Sequence, residues 1–307
     1  MPAYMNVSPA RRHFKKILGG ANHLIITALV GLDAIERGIV TAIPEDIHAA
    51  WSPKNAVASS KRSRRLILDM ALVRAIDALD VYIQHSRRKP SLVQSQSLQS
   101  EIDGAGRSVF RKFAAVERHF PTIDHTLAAL VAVMITWRNR SAHAEDDTDV
   151  SERHKSILRD NAGAISSRFR GLSTELLLSG YEEHRAPVFK EIASFINATH
   201  HFVEDLERAL FSATNVELYL KQLIWTAASE AVSDTGPLEK ARKRRLQSIW
   251  GKDPSERKLY VERFLYNHGI SATKARDTVS PLEFNDDLLT RLAAMHPSEV
   301  FIWSRDS

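Results

Sequence analysis

Apolar residues recur at intervals of three and four along most of the chain, which is the spacing of one helix face. In the first part this pattern predicts a long helix over residues 9–38, interrupted at Gly19-Gly20, and a second helix over residues 61–85. A short basic helix is expected over residues 107–119. Residues 87–106 are rich in Ser and Gln, with Pro and Gly among them, and therefore predict an exposed loop.

The next predicted helix is the most apolar part of the sequence. Thr122 or Asp124 can cap it, and residues 127–135 are almost entirely apolar. A helix that is apolar on nearly all sides is expected at the centre of a bundle. It ends in the polar sequence of residues 137–143, which is followed by an acidic run over residues 145–149.

Helical spacing continues through the middle of the chain. A helix capped by Asp149 or Ser151 is expected to run, with one restart, to about residue 178. Pro187 suits the first turn of another helix, whose apolar stripe over three heptads favours coiled-coil-like packing. The pattern extends through residues 216–232 without convincing period-two alternation, so the expected fold class is all-α.

A break at residues 234–237, Asp-Thr-Gly-Pro, predicts a domain boundary. We therefore expect a helical domain over residues 1–235 and a small basic C-terminal appendage over residues 236–307, either helical or winged-helix-like. The elements predicted in this appendage are helices over residues 238–250, 255–268 and 283–296, and a short strand over residues 300–303.

Composition narrows the class of protein. A hydrophobic content of 44% in 307 residues is enough for a sizeable core. The absence of cysteine excludes disulfides, thiol catalysis and thiolate metal sites. No membrane segment or secretory signal is evident, so a cytoplasmic protein with no membrane partner is expected.

The charge is unevenly distributed along the chain. Lys and Arg outnumber Asp and Glu by 20 to 11 in residues 1–143 and by 13 to 10 in residues 236–307, whereas residues 144–235 hold 9 against 16. The overall net charge is +5. Positive charge is thus concentrated before residue 144 and again near the C-terminus, and the net charge points to an anionic partner.

The polar end of the central helix carries the most specific pattern. Arg138 and His143 are separated by four residues. The same spacing occurs at Arg263 and Arg291, but there the residue after the arginine is Phe or Leu, whereas here it is Asn139. The polar residue at the second position distinguishes this copy from the other two.

These residue types suit RNA cleavage without a metal. Arg138 can stabilise the charge that develops on a phosphate, and on a continuing helix Asn139 would orient the imidazole of His143 four residues later. His143 can act as general acid or base for attack by a ribose 2′-hydroxyl, giving a 2′,3′-cyclic phosphate and a 5′-hydroxyl. The alternative is a polar helix end in which the histidine faces Glu145 or Asp146.

The sequence Arg138-Asn139-x-x-x-His143, at the end of a buried helix in a helical bundle, resembles the signature of the HEPN superfamily. The resemblance implies an up-and-down bundle with long helices over about residues 9–232 and a metal-independent endoribonuclease without a cofactor. It also implies a homodimer with a composite active site and a role as a toxin or antiviral defence effector. Family toxins silenced by a nucleotidyltransferase antitoxin carry Tyr where Glu145 stands, so that antitoxin is not expected, although another antitoxin or defence-system partner is.

Basic side chains elsewhere are candidates for contacting the RNA backbone. A solvated helix end or loop is the competing interpretation for each basic cluster. The candidate RNA-binding residues are Arg140, Arg111, Lys112, Arg64 and Arg65. No metal site is expected, because the spacing of the histidines fits no common ligand set.

Two other function classes compete with the ribonuclease. One is a catalytically inert helical module that binds RNA or protein through its basic faces. The other is a DNA-binding regulator that uses residues 236–307, for which salt-sensitive duplex binding independent of Arg138 and His143 is expected.

Overall fold

The computed structural model describes residues 2–40, 42, 51, 53–142, 149–230, 238–275 and 280–305. The described chain is mostly helical, so the all-α prediction is confirmed. The helices are α1 Pro9–Leu18, α2 Ala21–Glu36, α3 Ala56–Arg87, α4 Gln96–Gly104, α5 Val109–His119, α6 His125–Ala142, α7 Glu152–Asp160, α8 Ala162–Arg168, α9 Thr174–Glu182, α10 Phe189–Ala213, α11 Val216–Glu230, α12 Leu238–Trp250, α13 Pro254–Asn267, α14 Asp286–Ala294 and α15 Pro297–Arg305. Two short strands, β1 Ala3–Met5 and β2 Leu282–Phe284, pair antiparallel.

The chain divides into two compact units, each assembled from separate segments. The first unit contains residues 1–13, 81–106 and 205–307, and the second contains residues 14–80 and 107–204. The boundary expected at residue 235 does not coincide with a boundary between the two units. Residues 236–307 belong to the same unit as α11, and the contacts below give the physical reason.

In the second unit α6 is the buried helix that its sequence predicts. Residues 127–135 are completely excluded from solvent. The side chain of Asp124 caps the helix by accepting hydrogen bonds from the backbone N–H groups of Thr126, at 2.8 Å, and Leu127, at 3.3 Å. Helices α5 and α7 pack against α6, and α10 contacts it through the Thr199 hydroxyl, 3.5 Å from the Met134 sulfur.

In the first unit, residues 236–307 pack on α11 and pair with the N-terminal strand. Helices α12 and α15 both contact α11, and the Trp225 ring on α11 lies 5.6 Å from the Phe301 ring. Strand β2 aligns Leu282 with Met5, and both side chains are buried. The apolar surface of this segment is therefore covered by α11 and β1, which is why it is not a separate appendage.

Two element predictions are wrong. The expected loop over residues 87–106 contains α4, whose Leu98 and Ile102 are buried, and Ser91 donates its backbone N–H to the Gln222 side-chain oxygen at 2.8 Å. The expected strand over residues 300–303 lies within α15. The interruption at Gly19-Gly20 is confirmed as the break between α1 and α2.

One stretch of the described chain, Pro9–Glu36, is long and apolar enough to cross a membrane when judged by length and composition alone. Only 17% of its most apolar window is buried within the protein. No membrane segment was expected from the sequence.

Candidate active site

The C-terminal end of α6 is fixed by Trp137. This side chain is buried, and its indole N–H donates to the Arg185 carbonyl oxygen at 2.8 Å. The indole also makes edge-on contacts with the Tyr181 and Phe195 rings, with centroids 5.6 and 6.1 Å away. These contacts with α9, α10 and the segment between them hold the last turns of α6 in place. The backbone position of Arg138, the next residue, is fixed by them.

Arg138 follows Trp137 and is half-buried. One terminal nitrogen of its guanidinium lies 3.4 Å from the Asn139 side-chain oxygen. Its Nε is buried, and among the described residues it has no hydrogen-bond partner. A buried N–H of a charged group is costly when unsatisfied, so this guanidinium retains capacity for an anionic acceptor.

Arg140 is engaged within the protein. Its guanidinium lies 3.0 Å from the Asp149 carboxylate, donates to the Tyr181 carbonyl oxygen at 3.3 Å, and stacks 4.3 Å above the Tyr181 ring. These contacts tie α6 to α9 and to the start of the segment that leads into α7. Arg140 therefore helps to hold the site together, and its contact with RNA stays a prediction.

Asp149 is the acidic partner at this end of α6. Burial raises the pKa of its carboxyl, but the hydrogen bond from the Tyr181 hydroxyl at 2.9 Å, that from the Val150 backbone N–H at 2.6 Å, and the charge of Arg140 together hold it below its ordinary value. Asp149 is therefore ionised near neutrality and pairs with Arg140.

His143 lies outside the described residues, as does Glu145. The structure thus gives the positions of Arg138 and Asn139. The spatial relation of these two residues to His143 stays a prediction from the sequence.

A polar group built around His154, which was not predicted from the sequence, lies at the N-terminus of α7. His154 is buried, and its Nε2 lies 3.0 Å from the Glu117 carboxylate while its Nδ1 lies 3.0 Å from the Ser151 hydroxyl. The same hydroxyl caps α7 by accepting from the His154 backbone N–H at 3.3 Å. Burial raises the pKa of Glu117, but His154 and Arg153 lower it below its ordinary value.

The remaining candidate RNA-binding residues differ in their availability. Arg111 is exposed on α5. Lys112 is buried, and its ammonium lies 2.8 Å from the Asp80 carboxylate, which neutralises its charge inside the fold and removes it from any RNA-facing surface. Arg64 and Arg65 on α3 form ion pairs with Glu36, at 3.4 Å, and Asp69, at 2.8 Å. None of these contacts joins them to Arg138.

Within the described part of the chain, no group of three or more His, Cys, Asp or Glu side chains is arranged to hold a metal ion.

Comparison with known proteins gives no relative. No family model matches the chain, and neither a curated protein nor a solved structure matches it. The functional interpretation therefore rests on the residues at the end of α6.

Proposed function

We propose that this protein is a HEPN-type, metal-independent endoribonuclease. The observation that carries the proposal is Arg138, which follows the buried residues 127–137 of α6 and has a buried Nε with no acceptor among the described residues. Asn139 is in contact with it, and His143 follows four residues later in the sequence. A scissile phosphate would supply the acceptor that the Arg138 Nε lacks among the described residues.

In the proposed reaction the ribose 2′-hydroxyl attacks the adjacent phosphorus, and the bond to the 5′-oxygen of the next nucleotide breaks. His143 takes the proton from the 2′-hydroxyl or gives one to the leaving 5′-oxygen. Arg138 stabilises the charge on the non-bridging oxygens, and Asn139 orients the imidazole. The products are a 2′,3′-cyclic phosphate and a 5′-hydroxyl.

A single histidine cannot conveniently both remove and supply a proton in one step. A homodimer in which two Arg138/His143 pairs meet would provide the second group. We propose this arrangement, together with a role as a toxin or antiviral defence effector restrained by a partner protein, on the HEPN resemblance.

RNA cleavage in EDTA tests the proposal. Wild-type protein is expected to cut single-stranded RNA and leave 2′,3′-cyclic ends, whereas Arg138→Ala and His143→Ala are expected to lose at least about 10²-fold in rate, the usual contribution of one charge-stabilising or proton-transferring group. His296→Ala is the matched control, because His296 belongs to the Arg291 copy of the spacing and is exposed.

Two outcomes would contradict the proposal. One is a wild-type protein that leaves structured and single-stranded RNAs intact. The other is a His143→Ala variant that cuts at the wild-type rate.

A binding function without catalysis is favoured by one specific feature, the exposed side chains of Lys240, Arg244 and Arg245 on α12. If α12 binds a nucleic acid duplex, reversing the charges of Arg244 and Arg245 to Glu is expected to weaken salt-sensitive binding, whereas Arg138→Ala leaves it unchanged. Charge reversal is preferable to deletion of residues 236–307, because that segment packs on α11.

A further inference from the structure

Helices α2 and α3 expose large apolar side chains within the second unit. Leu24, Ile26 and Val30 lie on α2, and Leu66 and Met70 lie on α3; we call this surface the α2–α3 face. Leu24, Val30, Leu66 and Met70 are each between 60% and 68% exposed. Single exposed apolar residues are ordinary on a soluble protein, but a group of this size marks an interaction surface.

The exposed side of α2 lacks the charged residues that usually face solvent. Residues 21–32 contain no Asp, Glu, Lys or Arg. The opposite side of the helix buries Ala21, Ile25 and Leu29 in the protein. A helix on the surface of a soluble protein normally turns a charged face outwards, whereas the exposed side of α2 carries Leu24, Ile26 and Val30 and no Asp, Glu, Lys or Arg over residues 21–32.

The two helices lie side by side. The Ser60 hydroxyl on α3 donates to the Leu32 carbonyl oxygen on α2 at 2.8 Å, and Arg74 Nε donates to the Ile17 carbonyl oxygen at 3.0 Å. Ser60 comes before Arg74 in α3, but its partner Leu32 comes after Ile17 in the chain. The segment formed by α1 and α2 therefore runs antiparallel to α3. This register places residues 66–70 level with residues 22–26, so Leu66 and Met70 lie at the same level along the helix pair as Leu24 and Ile26.

Basic side chains border the α2–α3 face at both ends of its apolar row on α3. On α3 the two apolar residues stand in a row spaced by four residues, with Arg62 before them and Arg74 after them, and all four are exposed. The basic rim consists of Lys15, Lys16, Lys61, Arg62 and Arg74. Among the described residues, none of these five forms an ion pair with a carboxylate, whereas Arg64 and Arg65 do.

We infer that the α2–α3 face docks on an anionic lipid surface. Apolar side chains that enter the boundary of the acyl chains, bordered by Lys and Arg at the level of the headgroups, are the two components of interfacial membrane binding. Helix α2 lies on the membrane and does not cross it. Its 16 residues span only about 24 Å, against a hydrocarbon core of about 30 Å, and its inner side is held by the protein.

Two other occupants fit less well. A second copy bound through the same face by a twofold axis would bring two basic rims together, and their repulsion opposes the apolar attraction. Single-stranded RNA binds proteins through stacking on aromatic rings, and the five apolar residues of the face include none. An anionic membrane satisfies both the apolar residues and the rim, and this inference does not depend on ribonuclease chemistry.

Vesicle co-sedimentation of the full chain tests the inference. Vesicles of phosphatidylcholine mixed with phosphatidylserine are expected to bind the protein, with binding weakened by salt, whereas vesicles of phosphatidylcholine alone bind it less. The double variant Leu24→Gln/Val30→Gln is expected to lower the partition coefficient at least about tenfold, the effect of withholding one aliphatic side chain from the apolar phase. The matched control is Leu176→Gln on α9, because Leu176 is 68% exposed, as Leu24 is.

A second variant separates loss of binding from loss of folding. Lys15→Glu/Lys16→Glu leaves every apolar contact intact and is expected to lower binding to the phosphatidylserine vesicles about tenfold or more. Thermal unfolding of each variant, followed by circular dichroism, is expected to match the wild type, because the substituted side chains are exposed or half-exposed.

Three results would overturn the inference. The wild type fails to bind the phosphatidylserine vesicles; or the Leu24/Val30 variant binds them as well as Leu176→Gln does; or sedimentation velocity shows a wild-type dimer that this variant converts to a monomer while neither protein binds vesicles. The last result would assign the α2–α3 face to a second copy of the chain.

Discussion

At the scale of a single residue, Lys112 was predicted from the sequence to bind RNA, but in the fold it forms an internal ion pair with Asp80. Its side chain is 3% exposed and its ammonium is paired with Asp80, which is partly exposed. Lys112→Met is expected to leave RNA cleavage unchanged and to alter the unfolding free energy by no more than about 1 kcal/mol, because an apolar residue of similar length replaces a buried ion.

Asp80→Asn is the informative partner variant. It leaves the ammonium of Lys112 buried without a counter-charge and is expected to cost up to about 3 kcal/mol in urea unfolding. A Lys112→Met variant that keeps its stability but loses RNA cleavage would instead support the predicted role of Lys112 in RNA binding.

Glu207 is the second buried charge with an observable consequence. Its carboxylate accepts hydrogen bonds from the Ser8 backbone N–H at 3.2 Å and from the Ser8 hydroxyl at 2.6 Å, and it lies 3.7 Å from Arg11. Burial raises the pKa of Glu207 above its ordinary value of 4.5, although Ser8 and Arg11 act in the opposite direction. The folded protein therefore keeps this proton to a higher pH than the unfolded chain does.

The sign of the pH effect follows from that difference. Between pH 4.5 and the raised pKa the unfolded chain binds fewer protons, so the contribution of Glu207 to stability falls as the pH rises. Glu207→Gln is expected to flatten this part of the curve when the unfolding free energy is measured in urea from pH 4.5 to neutrality. An unchanged slope in the variant would show that Glu207 is already ionised throughout this range.

At the residue scale the sequence identified the end of α6 but not its surroundings. Arg138 and Asn139 are neighbours in the chain, so a motif can show them. The contacts that fix the same region join residues that are 41 positions apart, from Arg140 to Tyr181, and 37 positions apart, from Glu117 to His154. Only the folded chain brings these pairs together, so no local pattern could have predicted them.

At the scale of an element, the break between α1 and α2 makes a prediction with a control from the neighbouring residue. A Cβ on Gly19 would lie 2.5 Å from the Lys15 carbonyl oxygen, whereas a Cβ on Gly20 would meet nothing within 4 Å. Gly19→Ala is expected to destabilise the protein by about 1–3 kcal/mol, the usual cost of a forced contact. Gly20→Ala is expected to be neutral or slightly stabilising in the same urea titration. Equal effects of the two substitutions would contradict the contact argument.

Long helices with a clear apolar stripe were predictable, and short elements were not. The pattern predicted α6 and α10, whose inner faces are fully buried, because each presents several turns of consistent spacing. Helix α4 was missed because its nine residues are mostly polar and its burial depends on Leu98 and Ile102 alone. Strand β1 has only three residues, too few to show an alternation of apolar and polar positions. Its partner strand, Leu282–Phe284, is distant in sequence, so the pairing could not be predicted locally.

At the scale of the whole molecule, removal of residues 236–307 is expected to destroy the first unit and not to release an intact domain. The truncation would expose Trp225, which packs on Phe301, and would leave Met5 without the strand that covers it. The truncated chain is expected to aggregate, and its unfolding to lose cooperativity, in size-exclusion chromatography and thermal melts. A monodisperse, cooperatively folding product would instead support the boundary that the sequence predicts.

The pairing of β1 with β2 also has a consequence for biosynthesis. Strand β1 leaves the ribosome long before its partner at Leu282–Phe284 has been translated. The second unit is complete in sequence once residue 204 has been translated, whereas the first unit also needs residues 205–307. Since contacts between distant residues form slowly, α6 can be packed in the nascent protein before the first unit has formed.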